Sequence, residues 1–401
     1  MIAFLYRGIL AASGFIISTL LARFTSIAEF GNISIYANYI SFAIPIITCG
    51  ASTQIIKSGR LHQNVTNLRA SRYAFVAVLL SLISLAPTYL LSKSVYITSL
   101  ISIVIITTSL CILKSDSFRS RLNFRAAFLL GNGNASVGYF ISGILPTAFF
   151  TAAICIVHLF KPLTIERIFL LAIAANLVAL FIYRLEKIEI PSKKWIKKAI
   201  KIGIPNITII TLLSIISAQE LIIIKTISNT ETVAAYAISI RLSSLLLITH
   251  TIFSSLCQPY FSIIHRKSSK DKLKELSKYS KITLTILIIP LLIYGKTIIS
   301  TLFGPNYEAT VEINAFNLKL VSIYIYGVLG FNISELILSK RPRNLMYLCA
   351  ICACIYPAST YILYYSIDLS AQSSCAISFS ISFTLLSLGA KIMNTRKINH
   401  A

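Results

Sequence analysis

The chain reads as a succession of apolar runs, most about twenty residues long, separated by short polar turns. A helix needs about 20 apolar residues to cross a hydrocarbon core of about 30 Å, so each run is a candidate membrane span. The runs predict helices over Ile2–Leu21, Ile33–Cys49, Tyr73–Leu91, Val95–Leu113, Val137–Phe160 and Ile168–Tyr183. After a basic interruption they resume over Ile202–Ile224, Val233–Leu256, Ile282–Phe303, Ile313–Leu338, Leu345–Ser366 and Leu369–Ala390. Gly203, Pro205, Pro259, Pro290, Gly327 and Gly330 lie in or beside these runs. Membrane helices tolerate such residues as kinks or close contacts.

One polar turn is repeated. Leu20 to Gly31 closes an apolar run with Arg23, turns through Ser26 and reopens after Glu29; Ile223 to Glu231 does the same with Lys225, Ser228 and Glu231. Each of these three pairs is offset by the same interval along the chain. Two matching cation–turn–acid connectors imply a duplicated membrane unit. The predicted architecture is an all-α polytopic membrane protein, about 12 transmembrane helices in two six-helix pseudo-repeat halves around a central cavity. Its expected parts are an N-terminal half, 1–184, a basic amphipathic cytoplasmic linker, 185–201, a C-terminal half, 202–391, and a cytoplasmic tail, 392–401.

Composition narrows the class further. The 401 residues are 56% hydrophobic and only 12% charged, whereas soluble domains run near a quarter charged. The formal charge of +24 comes from 37 Lys and Arg against 13 Asp and Glu. In a soluble protein that excess would suggest nucleic acid, but here no basic segment leaves the membrane far enough to form a domain. Most of the cations instead fall in alternate loops, around Arg69, Arg121, Lys197, Lys274 and Arg341. The positive-inside rule and the anionic inner leaflet then place both termini in the cytoplasm. Between Pro191 and Lys201, Trp195, Ile196, Ala199 and Ile200 form one helical stripe and lysines the other. That pattern predicts an interfacial helix joining the halves, and Lys270–Lys281 has the same character. The first run lacks a basic leader and reads as a span rather than a cleaved signal. The eight cysteines sit in apolar runs as small buried hydrophobes.

Catalytic chemistry has little to work with. There is no GxxxxGK[ST] and no HExxH, Gly131 to Asn134 reads as a helix-start turn, and the five histidines are scattered. The expectation is a non-enzyme without cofactor or metal. The informative residues are charges at membrane depth, which are costly to bury and therefore point to function. Arg23 and Lys225 end the first and seventh spans, where they either snorkel to the interface or contribute to a site. Arg241 lies about two turns inside the eighth span and Lys319 nearly two inside the tenth, with Arg7 at the inner end of the first. Glu220, at similar depth on the seventh, is a candidate coupling carboxylate or an ion-pair partner for Arg241. Glu335 reads as interfacial and His250 as a packed histidine. Arg7, Arg23, Lys225, Arg241 and Lys319 together suggest a cationic cavity and an anionic passenger, since Arg and Lys both suit phosphate oxygens. Asn38, Asn206, Gln219, Asn314 and Asn332 either contact sugar hydroxyls or hydrogen-bond between helices.

Two short motifs carry a family resemblance. Ala22-Arg23, six residues, then Phe30-Gly31 resembles the first-loop hallmark of polysaccharide flippases in the multidrug/oligosaccharidyl-lipid/polysaccharide exporter superfamily. Leu302 to Tyr307, reading Leu-Phe-Gly-Pro-Asn-Tyr, is similar to that family's Leu-Phe-Gly-Pro-Glu-Tyr turn. Gly203 and Pro205, Tyr236 with Arg241, and Pro259 also fit. Ser26, Ala28 and Asn306 depart from the usual pattern. The resemblance implies a flippase moving an undecaprenyl-pyrophosphate-linked oligosaccharide, such as an O-antigen unit destined for lipopolysaccharide, to the outer leaflet by alternating access. Its expected partners are that substrate, membrane lipids, and a polysaccharide polymerase with its chain-length regulator. The rival readings are a drug or cation antiporter of the same fold, which would want a net acidic cavity, and a membrane glycan polymerase or ligase, which would need a large outer loop.

Overall fold

The computed structural model describes residues 2–47, 72, 76–78, 80–81, 85–120, 145–182, 192–261, 267–338 and 342–398. Every regular element among them is a helix. In chain order these are α1 (Ile2–Phe24), α2 (Ile27–Ile47), α3 (Leu85–Ser92), α4 (Val95–Ser120), α5 (Leu145–Phe160), α6 (Ile165–Ile182) and α7 (Lys193–Ile227). There follow α8 (Thr230–Phe261), α9 (Lys267–Phe303), α10 (Pro305–Thr310), α11 (Ile313–Val328), α12 (Asn332–Leu338), α13 (Pro342–Tyr365) and α14 (Ala371–Ile398). Among the described residues, five stretches, Thr208–Ile227, Thr230–Ser254, Asp271–Phe303, Asn344–Tyr365 and Ala371–Asn394, are long and apolar enough to cross a membrane. Large apolar side chains such as Leu90, Leu159, Phe160 and Phe181 are strongly exposed, as a lipid-facing surface requires.

The helices depart from the predicted spans in informative places. The basic stretch before the seventh span is continuous with that span in one helix. Nothing in Lys193–Lys201 stops a helix, and α7 runs on unbroken through Gly203 and Pro205. Likewise α9 absorbs the lysine-rich stretch before the ninth span. At about 1.5 Å per residue its 37 residues extend well past a hydrocarbon core of about 30 Å. It departs from helical geometry at Tyr294, between Pro290 and Gly295. The predicted tenth span is two helices, because Gly330 takes a left-handed φ of 96° and ends α11. The last helix continues past Lys391 to Ile398. The Gly131 turn and the linker from 185 to 191 lie outside the described residues.

The chain divides into two compact units: Met1–Ile17 with Tyr36–Thr211, and Ser18–Ile35 with Leu212–Ala401. In the first, Tyr36, Tyr39, Ala43 and Ile47 of α2 share a core with Ile101 and Ile105 of α4 and Phe169 of α6. Asn176 on α6 donates to Thr107 and Thr108 on α4, a polar tie between two otherwise apolar helices.

In the second unit the two repeated connectors dock on one another. Ser26 and Glu29 form a reciprocal capping box at the start of α2, while Asn229 caps α8 by accepting from the Thr232 amide at 2.8 Å. The structural caps are therefore Ser26 and Asn229, one residue out of step with the sequence match. Gly31 lies so close to the first turn of α8 that a Cβ would overlap the Thr230 carbonyl and approach Thr230 Cγ2 to 2.9 Å. The Leu302–Tyr307 turn closes the same assembly. Arg23 donates from Nε to the Leu302 carbonyl at 2.7 Å and also to Thr301, capping the C-terminus of α9. Phe30 and Tyr307 meet edge to face at 6.0 Å, and Gly304 supplies the positive φ of 113° that the turn needs. The two family-like motifs are thus halves of one contact. Replacing Gly31→Ala is expected to destabilise the protein by about 1–3 kcal/mol, read as a lower melting temperature in detergent; an unchanged transition would contradict this packing.

Candidate functional site

The second unit buries two opposite charges. Glu220 on α7 and Lys319 on α11 form an ion pair in which each side chain is only 2% exposed. The Lys319 ammonium lies 4.0 Å from the ring centre of Phe379 on α14 and 5.0 Å from that of Tyr236 on α8. Tyr236, Tyr356 and Cys375 complete the surroundings. Five helices, α7, α8, α11, α13 and α14, therefore converge around one carboxylate–ammonium contact roofed by aromatic faces, which favour a cation. Glu220 is the only Asp or Glu among the buried described residues.

Helical periodicity explains why Lys319, not Arg241, is the partner. Tyr236 presents its ring to Lys319, and five residues further along α8 Arg241 points about 140° away around the axis. Its guanidinium is half-buried and has no ion pair or hydrogen bond among the described residues. The other sequence candidates are differently placed. Arg23 is engaged by the carbonyls at the end of α9. Lys225 is exposed and donates to Thr230. Arg7 lies in α1, and its side chain is outside the described residues. Of the polar candidates, Asn314 is exposed and Gln219 buries its amide nitrogen without a partner. Phe379 and Tyr356 escaped the sequence reading, because aromatic residues on an apolar helix give no signal of which cation they will face.

The closed pair is chemically quiet: its charges cancel and neither group meets solvent. Arg241 is different, since a guanidinium with no partner among the described residues can donate two parallel hydrogen bonds to an oxyanion.

The sequence model of a family described as polysaccharide biosynthesis protein matches residues 20–312. The chain belongs to this family. Comparison with curated proteins returns no match. Among solved structures, it is similar to an inward-facing multidrug resistance MATE transporter of the MOP superfamily, at 13% identity and a TM-score of 0.68, covering 98% of this chain and 95% of that one. It is equally similar to the lipid II flippase MurJ in an inward closed conformation, at 12% identity and a TM-score of 0.68, over 98% and 86% of the two chains. The MATE multidrug transporter DinF-BH matches at 14% identity and a TM-score of 0.66, over 96% and 92%. This polysaccharide biosynthesis family member therefore has the all-helical, multi-span fold of the superfamily's transporters.

The ion pair makes a sharp expectation for stability. Lys319→Met leaves Glu220 buried and uncompensated, at a cost of about 3–5 kcal/mol, whereas replacing both partners by apolar or neutral groups is far milder. A thermal melt should rank wild type and the Glu220→Gln/Lys319→Met double variant close together, with each single variant well below. A double variant as unstable as the singles would contradict the pairing.

Proposed function

We propose that the protein is a flippase that carries an undecaprenyl-pyrophosphate-linked oligosaccharide, an O-antigen or related surface-polysaccharide repeat unit, from the cytoplasmic to the outer leaflet of the bacterial inner membrane. The observation that carries this reading is Arg241, a guanidinium half-buried in a membrane span of a polysaccharide biosynthesis family member, with no ion pair or hydrogen bond among the described residues. A pyrophosphate headgroup supplies the oxygens such a fork lacks. Alternating access moves the headgroup while the lipid tail stays in the bilayer. Moving about two negative charges out across an inside-negative membrane is favoured by roughly 4–5 kcal/mol per 100 mV, so the potential biases transport outward without ATP. Polymerase and chain-length regulator then act on the delivered unit as downstream partners.

The drug or cation antiporter reading has a structural obstacle in the same unit. A cationic passenger wants an available buried carboxylate, and Glu220 is already held by Lys319.

In cells lacking the gene, complete repeat units are expected to accumulate facing the cytoplasm and surface polymer to disappear. Complementation with Arg241→Ala should restore at least about tenfold less export than wild type, and Arg241→Lys an intermediate level, because lysine keeps the charge but loses the fork. Full export by a normally inserted Arg241→Ala variant would refute the role of this residue. Repeat units that reach the outer leaflet in the deletion strain would refute the flippase reading itself.

A further inference from the structure

The first four turns of α9 carry far more lysine than acid. Between Lys267 and Lys281 there are six lysines against two acids, and one of those acids, Glu275, is held by Lys272 at 2.7 Å. At about 100° per residue, the other five, Lys267, Lys270, Lys274, Lys278 and Lys281, fall on one stripe within an arc of about 80°. Lys274, Lys278 and Lys281 are exposed, and their ammonium groups have no ion pair or hydrogen bond among the described residues. Asp271, also exposed, stands at the edge of the stripe. The packed side of the same turns is Leu273, Leu276, Ser280 and Leu284, half-buried or buried. The helix is fastened by that side, which holds the lysines outward.

Along the axis, the exposed side of α9 changes character within one turn. Past Lys281 it presents Ile282, Ile286, Ile289 and Ile293, each at least 46% exposed, as a lipid-facing surface does. Tyr279, itself 51% exposed, stands at the change, where an aromatic belt residue belongs. That sets the depth of the lysines. Lys278 and Lys281 lie within one turn of Tyr279, and Lys274 is about 7.5 Å farther out at about 1.5 Å per residue. A headgroup layer is about 5–8 Å thick on each side of the bilayer. Three ammonium groups on flexible stems therefore stand among lipid phosphates. A soluble acidic partner would need them clear of the membrane surface instead.

We propose that the Lys274, Lys278 and Lys281 stripe of α9 is a binding surface for anionic phospholipid headgroups, in the leaflet that the positive-inside rule makes the inner one. A zwitterionic headgroup carries its own ammonium beside the phosphate and gains little there. An anionic diester keeps a net charge that cations one turn apart share. Its binding also relieves the repulsion of like charges spaced three and four residues apart on a helix.

The chain has one tryptophan, Trp195, so Trp195→Phe combined with Tyr279→Trp places a single fluorescent reporter at the stripe. The full chain is reconstituted in phosphatidylcholine vesicles holding a minor share of dibrominated phosphatidylglycerol or dibrominated phosphatidylcholine, and quenching by bromine is compared. The anionic lipid is expected to quench at a share at least about fivefold lower, since one lysine at an anionic surface is worth about that factor. Molar salt should remove most of the preference. Lys274→Gln/Lys278→Gln/Lys281→Gln should abolish it, while the corresponding triple arginine variant should keep it. Lys93→Gln/Lys161→Gln/Lys225→Gln, which removes as many exposed charges elsewhere, should leave it unchanged. Equal quenching by the two lipids in the folded reporter protein, or a preference that survives the triple glutamine variant, overturns the surface. So does capture of soluble polyglutamate by these lysines without any lipid preference, which would assign the stripe to an acidic protein. The inference does not depend on what is carried: a protein that fails to flip pyrophosphate lipid can still show the preference, and one that lacks it can still flip.

Discussion

A carboxylate deep in a membrane protein must be neutralised where it stands, and in this chain Lys319 does so for Glu220. Helices α7, α8, α11 and α14, which supply the pair and its two ring faces, are held to one mutual arrangement, because an ammonium enclosed by a carboxylate and two ring faces has little freedom to move. The geometry decides the electrostatics around it. It cancels the buried acid, it turns Tyr236 inward, and it thereby leaves Arg241 on the other side of α8 as a cation without a partner among the described residues. The functional reading follows from that asymmetry rather than from the overall positive charge.

A second constraint comes from the connectors. Arg23, which from sequence alone suggests a substrate contact, is used to close the end of α9, while Phe30 and Tyr307 pack the same joint. Gly31 permits the approach of α2 to α8 that brings the two repeated turns together. The recurring motif residues are accordingly best understood as architecture, and they account for why an arginine, a glycine and a tyrosine so distant in sequence belong together.

Much of this was legible in the chain. Apolar run lengths located most of the helices, and the repeated turn pointed to the joint now seen in the second unit. What escaped was whatever depends on facing. Glu220 and Lys319 are 99 positions apart, and only the rotation of α7 and α11 pairs them in preference to Arg241. The basic stretches are helical as expected but continuous with the spans that follow them, because an amphipathic pattern says which side meets lipid, not whether the helix stops; nothing in Lys193–Lys201 stops it. Asn332 and Glu335 were visible as polar residues near a span end. Their hydrogen-bond partner Asn394 was overlooked because the apolar signal fades at Ala390, although the helix itself continues to Ile398.

The most direct test of the central claim is transport by the purified protein in sealed vesicles. The substrate would be a fluorescent polyprenyl-pyrophosphate oligosaccharide, with a potassium diffusion potential imposed in either direction. The account predicts protein-dependent movement of the headgroup away from the negative side, slowed when the potential is reversed and nearly abolished by Arg241→Ala. Movement of a cationic dye with no movement of the pyrophosphate lipid at either polarity would contradict it.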